Sequence, residues 1–281
     1  MAIEHPTRLA AGPVDLRALE TGTTPGFEGD KAAGQKALEH LGRELADLQE
    51  RLFAHGRVGG RRRMLLVLQG MDTSGKGGTV RKTVGLVDPQ GVRTVSFRAP
   101  TEEERAHDFL WRVRRVLPPP GDLGVFDRSH YEDVLAARVR GLAPPAEIER
   151  RLGAINEFEA ELAADGVSIV KCLLHISPDE QLHRLLARLD DPSKHWKFSP
   201  DDIDDRARWG EYRAAHEVAL ARTNTEAAPW FVVPADRKWY RNLAVAQILL
   251  AALRDMDLAW PPGDFDVDAE RARLLGTEPS A

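Results

Sequence analysis

A glycine-rich loop directly behind an apolar run holds the residue types most suited to chemistry. Residues 70–76 read GMDTSGK and fit the first seven positions of the phosphate-binding pattern G-x-x-x-x-G-K. Glycines let successive backbone N–H groups turn towards phosphate oxygens, and the lysine adds a mobile positive charge. The loop therefore predicts that the protein binds a phosphorylated ligand.

The eighth position of the pattern and a second carboxylate predict a metal site. Gly77 stands where a Ser or Thr hydroxyl would reach Mg²⁺, and Asp72 inside the loop can supply the missing oxygen ligand. Asp127 ends the apolar stretch LGVFD and is followed by Arg128, as a Walker-B aspartate would be. We predict that Asp72 and Asp127 bind Mg²⁺. Lys76 and Arg128 would neutralise phosphate charge in the transition state.

Residues 186–209 predict a helical lid. They combine basic and aromatic side chains, with prolines at the turns, and we assign to the lid Arg188, Lys194, Trp196 and Lys197. Such a module would close over bound phosphates and exclude water. The alternative interpretation is a polar helix-turn-helix on the surface.

Short apolar stretches predict the sheet that positions these residues. The strand candidates are 63–69, 91–97, 123–127, 167–176 and 230–235. Helical segments lie between them, and the pairs Thr101 with Glu104 and Ser177 with Glu180 have the spacing of capping boxes. This alternation predicts a doubly wound α/β domain, in which helices flank a parallel sheet.

The predicted domain is bordered by two shorter regions. Residues 1–56 read as an arm and a helix with an apolar stripe, formed by Leu38, Leu41, Leu45, Leu48 and Leu52. The stripe would cover the main core or form a subunit contact. Residues 57–260 would form the kinase-like domain, and 261–281 an acidic tail.

Composition and charge exclude several classes of function. The net charge of −5 argues against general binding of nucleic acid or membranes, although residues 57–140 hold sixteen Lys and Arg against ten Asp and Glu. We find neither a long apolar run nor a signal peptide, which predicts a cytoplasmic protein. Cys172, the single cysteine, lies in an apolar stretch and predicts a buried, inert thiol. His175 and His195 lack the spacing of metal ligands.

Four ordered motifs resemble the polyphosphate kinase 2 family. They are GMDTSGKGGT, FDRSHYEDVL, HISPDEQLHRLLARLDDPSKHWKFSPDD and APWFVVPADRKWYRNLA, within residues 70–250. The resemblance implies a P-loop kinase fold similar to thymidylate kinase. It also implies Mg²⁺-dependent phosphoryl transfer between inorganic polyphosphate and AMP or ADP, in a homo-oligomer such as a dimer or tetramer. The motifs look most like the subgroup that phosphorylates both nucleotides, whereas Gly77 matches the form that uses ADP.

The resemblance also implies roles for individual residues. The phosphate-binding or polyphosphate-binding set would be Gly70, Thr73, Ser74, Gly75, Gly77, Gly78, Thr79, Arg81, Lys82 and Arg112. Two other functions remain open at this point. One is an ATP-dependent nucleoside-monophosphate kinase, which would not require polyphosphate. The other is a regulator that binds nucleotide without turnover.

Overall fold

A five-stranded parallel sheet forms the centre of the molecule. The computed structural model describes residues 3–277, and within them the strands are β1 (Arg63–Gln69), β2 (Val92–Ser96), β3 (Leu123–Asp127), β4 (Val167–His175) and β5 (Trp230–Pro234). Their spatial order is β2-β3-β1-β4-β5, and every neighbouring pair is parallel. All five predicted strands are confirmed. The strand order reverses beside β1, where open α/β sheets bind their ligands.

Helices cover both faces of this sheet. Within residues 3–277 the α-helices are α1 (Lys31–Arg57), α2 (Lys76–Lys82), α3 (Glu102–Arg105), α4 (Trp111–Arg114), α5 (Ala136–Val139), α6 (Pro145–Ala164), α7 (Pro178–Leu189), α8 (Asp201–Ala207), α9 (Trp209–Thr223), α10 (Lys238–Asp255) and α11 (Val267–Leu275). Residues of α1 and α10 pack on one face, and residues of α6 and α9 on the other. The predicted doubly wound α/β architecture is confirmed.

Side-chain alternation along β1 divides the core into two layers. Leu65 and Val67 face α6 and α9, whereas Met64, Leu66 and Leu68 face α1 and α10. All five side chains are buried, because β1 lies in the middle of the sheet. A central parallel strand therefore reads as a continuous apolar run, which is the pattern that predicted it.

The leucine stripe of α1 covers the core of its own chain. Asp30 precedes the helix and accepts a hydrogen bond from the N–H of Ala33 at 2.9 Å, which defines the start. Leu45 and Leu52 are buried in the layer that α1 shares with α10. These two leucines are therefore not available for a subunit contact, whereas Leu38, Leu41 and Leu48 remain partly exposed.

The two ends of the chain differ in how they attach to the domain. The N–H of Leu9 donates to the carbonyl of Trp230 at 2.9 Å, and the N–H of Val232 donates to the carbonyl of Thr7 at 2.9 Å. The predicted arm therefore covers the edge of the sheet beside β5. At the other end, α11 buries no residue. Residues 1–2 of the arm and 278–281 of the tail lie outside the described residues.

The two expected capping boxes have different outcomes. At α3, Thr101 and Glu104 each accept a hydrogen bond from the other's backbone N–H, so this box is complete. At α7, Ser177 accepts from the N–H of Glu180, but the Glu180 carboxylate accepts from Nε of Arg184 at 2.6 Å. The second box is therefore only half formed, because Glu180 pairs with Arg184.

The cysteine and the two histidines considered in the sequence analysis lie in surroundings that indicate structural roles. Cys172 is buried, and burial raises the pKa of its thiol. Nε2 of His175 lies 2.9 Å from the carbonyl oxygen of Leu16, and Nε2 of His195 lies 2.8 Å from that of Leu189.

In the described part of the chain, no helix is both long and apolar enough to cross a bilayer.

We predict that His216 makes the stability depend on pH. This residue of α9 is buried, its Nδ1 lies 2.8 Å from the carbonyl oxygen of Tyr212, and burial lowers its pKa from 6.5 to about 4. Between these values the unfolded chain binds a proton that the folded chain does not. The contribution of His216 to the free energy of unfolding is therefore complete above about pH 6.5. As the pH falls towards 4, the free energy of unfolding decreases by up to about 3 kcal/mol.

Denaturant unfolding at several pH values tests this prediction. The His216→Gln variant should lose less stability than the wild type between pH 6.5 and 4. Equal losses in the two proteins would contradict the prediction.

Candidate active site

The sheet register places the glycine-rich loop beside Asp127. Leu68 of β1 pairs with Asp127 of β3, so the loop that follows β1 meets the segment that follows β3. The N–H of Arg128 donates to the carbonyl of Leu68 at 3.1 Å. Arg128 has a φ of 65°, a left-handed conformation that is uncommon for a residue other than glycine. Its Nη2 lies 2.9 Å from Oδ1 of Asp72.

The surroundings of the two predicted metal ligands differ. Burial would raise the pKa of Asp72, but Lys76 and Arg128 outweigh it and hold the pKa below its usual value. Asp72 is therefore ionised at neutral pH despite its partial burial. The Asp127 carboxylate makes no hydrogen bond or ion pair with the residues the structure describes, so its oxygens remain free for another ligand.

Gly77 leaves space beside the second carboxylate, Asp127. A β-carbon added at Gly77 would lie 3.9 Å from Oδ2 of Asp127, and nothing else lies within 4 Å of it. The glycine thus leaves room between the carboxylate and the first turn of α2. Carboxylate oxygens beside a phosphate loop are the ligand type that Mg²⁺ prefers. The donor chemistry of Asp72 and Asp127 therefore fits the predicted Mg²⁺.

Lys76 lies across the loop. Its Nζ donates to the carbonyl oxygen of Gly70 at 2.7 Å and approaches that of Met71 at 3.4 Å. Burial lowers its pKa, and the charge of Asp72 opposes this shift. The ammonium is thus held in the centre of the loop, where it would meet a phosphate.

Two arginines from distant parts of the chain hold the loop from outside. Arg184 of α7 donates to the carbonyls of Thr73 at 2.8 Å and Ser74 at 3.1 Å. Arg241 of α10 also donates to the Ser74 carbonyl at 3.1 Å. These bonds, together with the bond from the N–H of Ser74 to the carbonyl of Met71 at 3.0 Å, fix the conformation of the loop. We had not predicted either arginine, although both lie in motifs that carry the family resemblance.

Unpaired hydroxyl groups mark the loop as a polar site. Thr73, Ser74 and Thr79 each have a buried side-chain oxygen that finds no hydrogen-bond partner among the described residues. Such groups are costly to bury unless a ligand or water pairs with them. All three were among the predicted phosphate-binding residues.

A cleft of about 740 Å³ opens beside the loop. Its cationic side chains are Arg98, Arg105, Arg112, Arg128, Arg140 and Arg151, and its carboxylates are Asp72, Glu132, Asp133, Asp201, Asp202 and Asp205. Phe97, Pro100, Leu135 and Leu142 add apolar lining. A cleft that combines arginines with an apolar wall suits a ligand with phosphates and a ring system.

The predicted phosphate-binding cations have different positions. Arg112 is buried, lines the cleft, and pairs with Asp133 at 2.8 Å. Arg81 and Lys82 are exposed in the last turn of α2 and do not line the cleft. Any contact that they make with phosphate would thus lie outside the cleft.

The predicted lid is helical, but its cations are engaged within the lid itself. Arg188 donates to Asp202 at 3.1 Å, Lys194 pairs with Asp191 at 2.6 Å, and Nζ of Lys197 lies 4.9 Å from the ring centre of Trp196. None of the four predicted lid residues lines the cleft. The lid residues that do so are Ser199, Asp201, Asp202 and Asp205.

Glu132 is a cleft carboxylate that sequence reasoning missed. With the Gln69 amide oriented to suit both neighbours, Gln69 donates to Oε1 of Glu132 at 3.1 Å and accepts from the N–H of Ser129 at 3.2 Å. Burial raises the pKa of Glu132, and Arg128 opposes the shift. The motif FDRSHYEDVL contains this residue, but does not indicate which of its carboxylates face the cleft.

Comparison with known proteins agrees with this geometry. The family model described as polyphosphate kinase 2 matches residues 28–260. The chain belongs to the polyphosphate kinase 2 family. A crystal structure of polyphosphate kinase 2 from Arthrobacter aurescens is 52% identical, covers 99% of both chains and superposes with a TM-score of 0.94.

Two relatives of this polyphosphate kinase 2 chain carry names that include their substrates. An AMP/ADP-polyphosphate phosphotransferase of Meiothermus ruber is 46% identical over 89% of this chain and 92% of its own length. An ADP-polyphosphate phosphotransferase of Rhodopseudomonas palustris is 38% identical over 93% and 92%. The predicted family and P-loop kinase-like fold are thereby confirmed.

We predict different effects of substitution at two glycines, Gly75 at the end of the loop and Gly77 in the first turn of α2. Gly75 has a φ of 105°, and a β-carbon there would overlap Nη1 of Arg241. The Gly75→Ala variant should therefore lose about 1 to 2 kcal/mol from backbone strain alone. Because Arg241 would also be displaced from the loop, the turnover of the Gly75→Ala variant should fall by about 100-fold or more.

Gly77→Ala is the matched control for folding. Its added carbon would make only ordinary contact with Asp127, and alanine favours the helix, so its free energy of unfolding should not decrease. Chemical denaturation and steady-state kinetics measure both effects. Equal stability of the two variants would contradict the predicted strain at Gly75, and unchanged turnover of Gly75→Ala would contradict the role of Arg241.

Proposed function

We propose that the protein catalyses Mg²⁺-dependent, reversible transfer of the terminal phosphoryl group of inorganic polyphosphate to AMP and ADP, forming ADP and ATP. Phosphoryl transfer between polyphosphate and a nucleotide is the chemistry of its family, and the protein is an enzyme of this class. The observation that carries the proposal is the presence of two cation groups at one loop. One lines the cleft, and the other lies outside it.

The cleft would hold the acceptor nucleotide. Arg128 joins the cleft to Asp72 of the loop, while Phe97 and Leu135 lie in its apolar lining. A nucleotide needs both features, since its phosphates require positive charge and its base requires an apolar surface. No single residue of the lining identifies the base.

The cations outside the cleft would meet the donor. The pKa of Lys238 is lowered by burial and by the charges of Arg184, Arg241 and Lys194, with Glu180 opposing them. We call these four cations the outer cluster. Arg184 and Arg241 in it bond the loop carbonyls and Lys194 pairs with Asp191, and this concentration of positive charge around Lys238 is suited to a polyanion. These side chains are not part of the cleft lining. A donor made only of phosphate needs charge but no base pocket, which favours polyphosphate over ATP.

The reaction needs positioning and charge neutralisation more than a base. An oxygen of the acceptor's terminal phosphate is already ionised at neutral pH and attacks the terminal phosphorus of polyphosphate. The new P–O bond forms as the bond to the next phosphate breaks, and the shortened polyphosphate leaves with the bonding electrons. Lys76 and Arg128 would offset negative charge on the transferring group. Mg²⁺, when held by Asp72 and Asp127, supplies further positive charge.

Evidence for the acceptor comes from the relatives. The Meiothermus ruber relative is named for both AMP and ADP, and the Rhodopseudomonas palustris relative for ADP alone. The higher identity to the first supports use of both acceptors, while Gly77 after the loop lysine supports ADP. We propose that both AMP and ADP are acceptors, and ADP is the one that the names of both relatives include.

An assay with purified protein, Mg²⁺ and long-chain polyphosphate tests the proposal. AMP and ADP are offered separately, and all nucleotides are separated by chromatography. A mixture of ATP and AMP without polyphosphate serves as the control. We expect product from each acceptor with polyphosphate. Product only in the control would indicate an ATP-dependent nucleoside-monophosphate kinase, and binding without product would indicate a regulator.

We predict that each of the two metal ligands is needed for turnover. Asp72→Asn and Asp127→Asn keep the side-chain shape but remove charge, and each should lower kcat by about 100-fold or more, equivalent to about 3 to 4 kcal/mol. Both should also shift the Mg²⁺ concentration that gives half-maximal rate. Asp268→Asn, on the exposed helix α11, is the matched control. Near-normal turnover and Mg²⁺ response in both loop variants would contradict the assignment.

We predict that Lys238 contributes to donor binding. Lys238→Ala should raise the KM for polyphosphate several-fold, since it removes one cation of the outer cluster. The KM for ADP should change much less, because Lys238 does not line the cleft. Lys36→Ala, an exposed cation on α1, is the control. A rise in the KM for ADP with an unchanged KM for polyphosphate would contradict the proposal, because it would place the nucleotide at Lys238 and the polyphosphate in the cleft.

A further inference from the structure

The segment that follows β3 has a catalytic side and a buried side. Arg128, Glu132 and Asp133 line the cleft, whereas His130 and Tyr131 are buried behind it. After Asp127 the segment forms only a single 3-10 turn, and Arg128 has a left-handed backbone. Local structure alone therefore fixes it weakly. Its geometry depends on contacts made from behind.

A buried ion pair makes these contacts. Oε1 of Glu159 on α6 accepts from the hydroxyl of Tyr131 at 2.9 Å and lies 3.2 Å from Nε2 of His130. Its Oε2 accepts from Nζ of Lys171 on β4 at 2.6 Å. The side chains of Glu159 and Lys171 are almost completely inaccessible to solvent. Two side chains that do not line the cleft, one from α6 and one from β4, thus hold the segment that lines it.

The hydrogen bonds of Lys171 are complete. Its Nζ donates to Glu159, to the hydroxyl oxygen of Tyr131 at 2.9 Å and to the carbonyl oxygen of Thr223 at 2.7 Å. An ammonium has three N–H donors, and all three have acceptors here. Because the three acceptors come from different elements, a rotation of the turn that carries Tyr131 would leave a buried charge unsatisfied.

The two ring nitrogens of His130 have different surroundings. Nδ1 is buried and finds no hydrogen-bond partner among the described residues, so a proton there would be unsatisfied. Nε2 faces a Glu159 oxygen and therefore carries the hydrogen. The bond from Nε2 to Glu159 fixes the orientation of residue 130, two positions before Glu132.

A buried pair of this kind is a poor means of gaining stability. Removing two charges from water costs several kcal/mol, and apolar replacements of similar size are often neutral or stabilising. Its directional bonds, in contrast, define one orientation of the turn. We propose that Glu159 and Lys171 are positioning residues, which act through His130 and Tyr131 to orient Arg128 and Glu132 for phosphoryl transfer. This inference rests on the proposed function.

Two variants of one residue test the proposal. His130→Gln keeps an N–H that can reach Glu159, whereas His130→Leu fills the site without a donor. We expect His130→Leu to lower kcat by about tenfold to 100-fold, with a smaller change in the KM for ADP, and His130→Gln to retain most of the rate. If both variants are folded and have equal kcat values, the proposal is wrong.

A double variant separates orientation from stability. Lys171→Met with Glu159→Leu removes both charges together, so neither remains unpaired in the core. We expect a melting temperature close to that of the wild type but a kcat reduced by about tenfold or more. A folded double variant with the wild-type kcat would overturn the proposal. If the double variant does not fold, the comparison at His130 decides.

Two controls make the outcomes distinguishable. Cys172→Ala alters the neighbouring position of β4, whose side chain lies in the layer on the opposite face of the sheet. It should lower the melting temperature without changing kcat. Wild-type turnover is measured first, and its absence would overturn the proposed function together with this inference. Normal wild-type turnover with unaffected variants would overturn the positioning role alone.

Discussion

Electrostatic repulsion between two phosphate-rich molecules is the constraint on which the rest of this structure depends. Phosphoryl transfer requires their reacting oxygen and phosphorus atoms to approach within bonding distance, and each molecule carries several negative charges. The loop between β1 and α2 offers N–H groups, Lys76 and a helix terminus at the meeting point. Arg184 and Arg241 bond its carbonyls from outside. These bonds fix the conformation of the loop.

The same constraint explains why a carboxylate can lie inside a phosphate loop. Lys76 and Arg128 keep Asp72 ionised, and Gly77 leaves space beside Asp127. In the proposed mechanism these two carboxylates would hold the cation that a hydroxyl would otherwise bind. Orientation then becomes the remaining requirement. The pair of Glu159 and Lys171, which lies behind the cleft, orients the turn after Asp127.

Local patterns predicted the strands and the loop, while side-chain pairing over long distances in the chain could not be predicted. The apolar run of β1 ends at a glycine, and this sequence of residues has few alternative structures. Arg184 and Arg241, however, reach Ser74 across 110 and 167 residues. The lid was predicted as helical and basic, yet Arg188 bonds Asp202 within it. The sequence shows Lys171 within an apolar strand, but its hydrogen-bond partners belong to other elements and could not be predicted from that strand.

The most direct test of simultaneous binding at one loop is a two-substrate kinetic study. Initial rates are measured with polyphosphate varied at several fixed ADP concentrations and saturating Mg²⁺. Direct transfer between two bound anions predicts double-reciprocal lines that intersect, because both substrates must be present before product leaves. Parallel lines would indicate a phosphorylated enzyme intermediate and would contradict direct transfer.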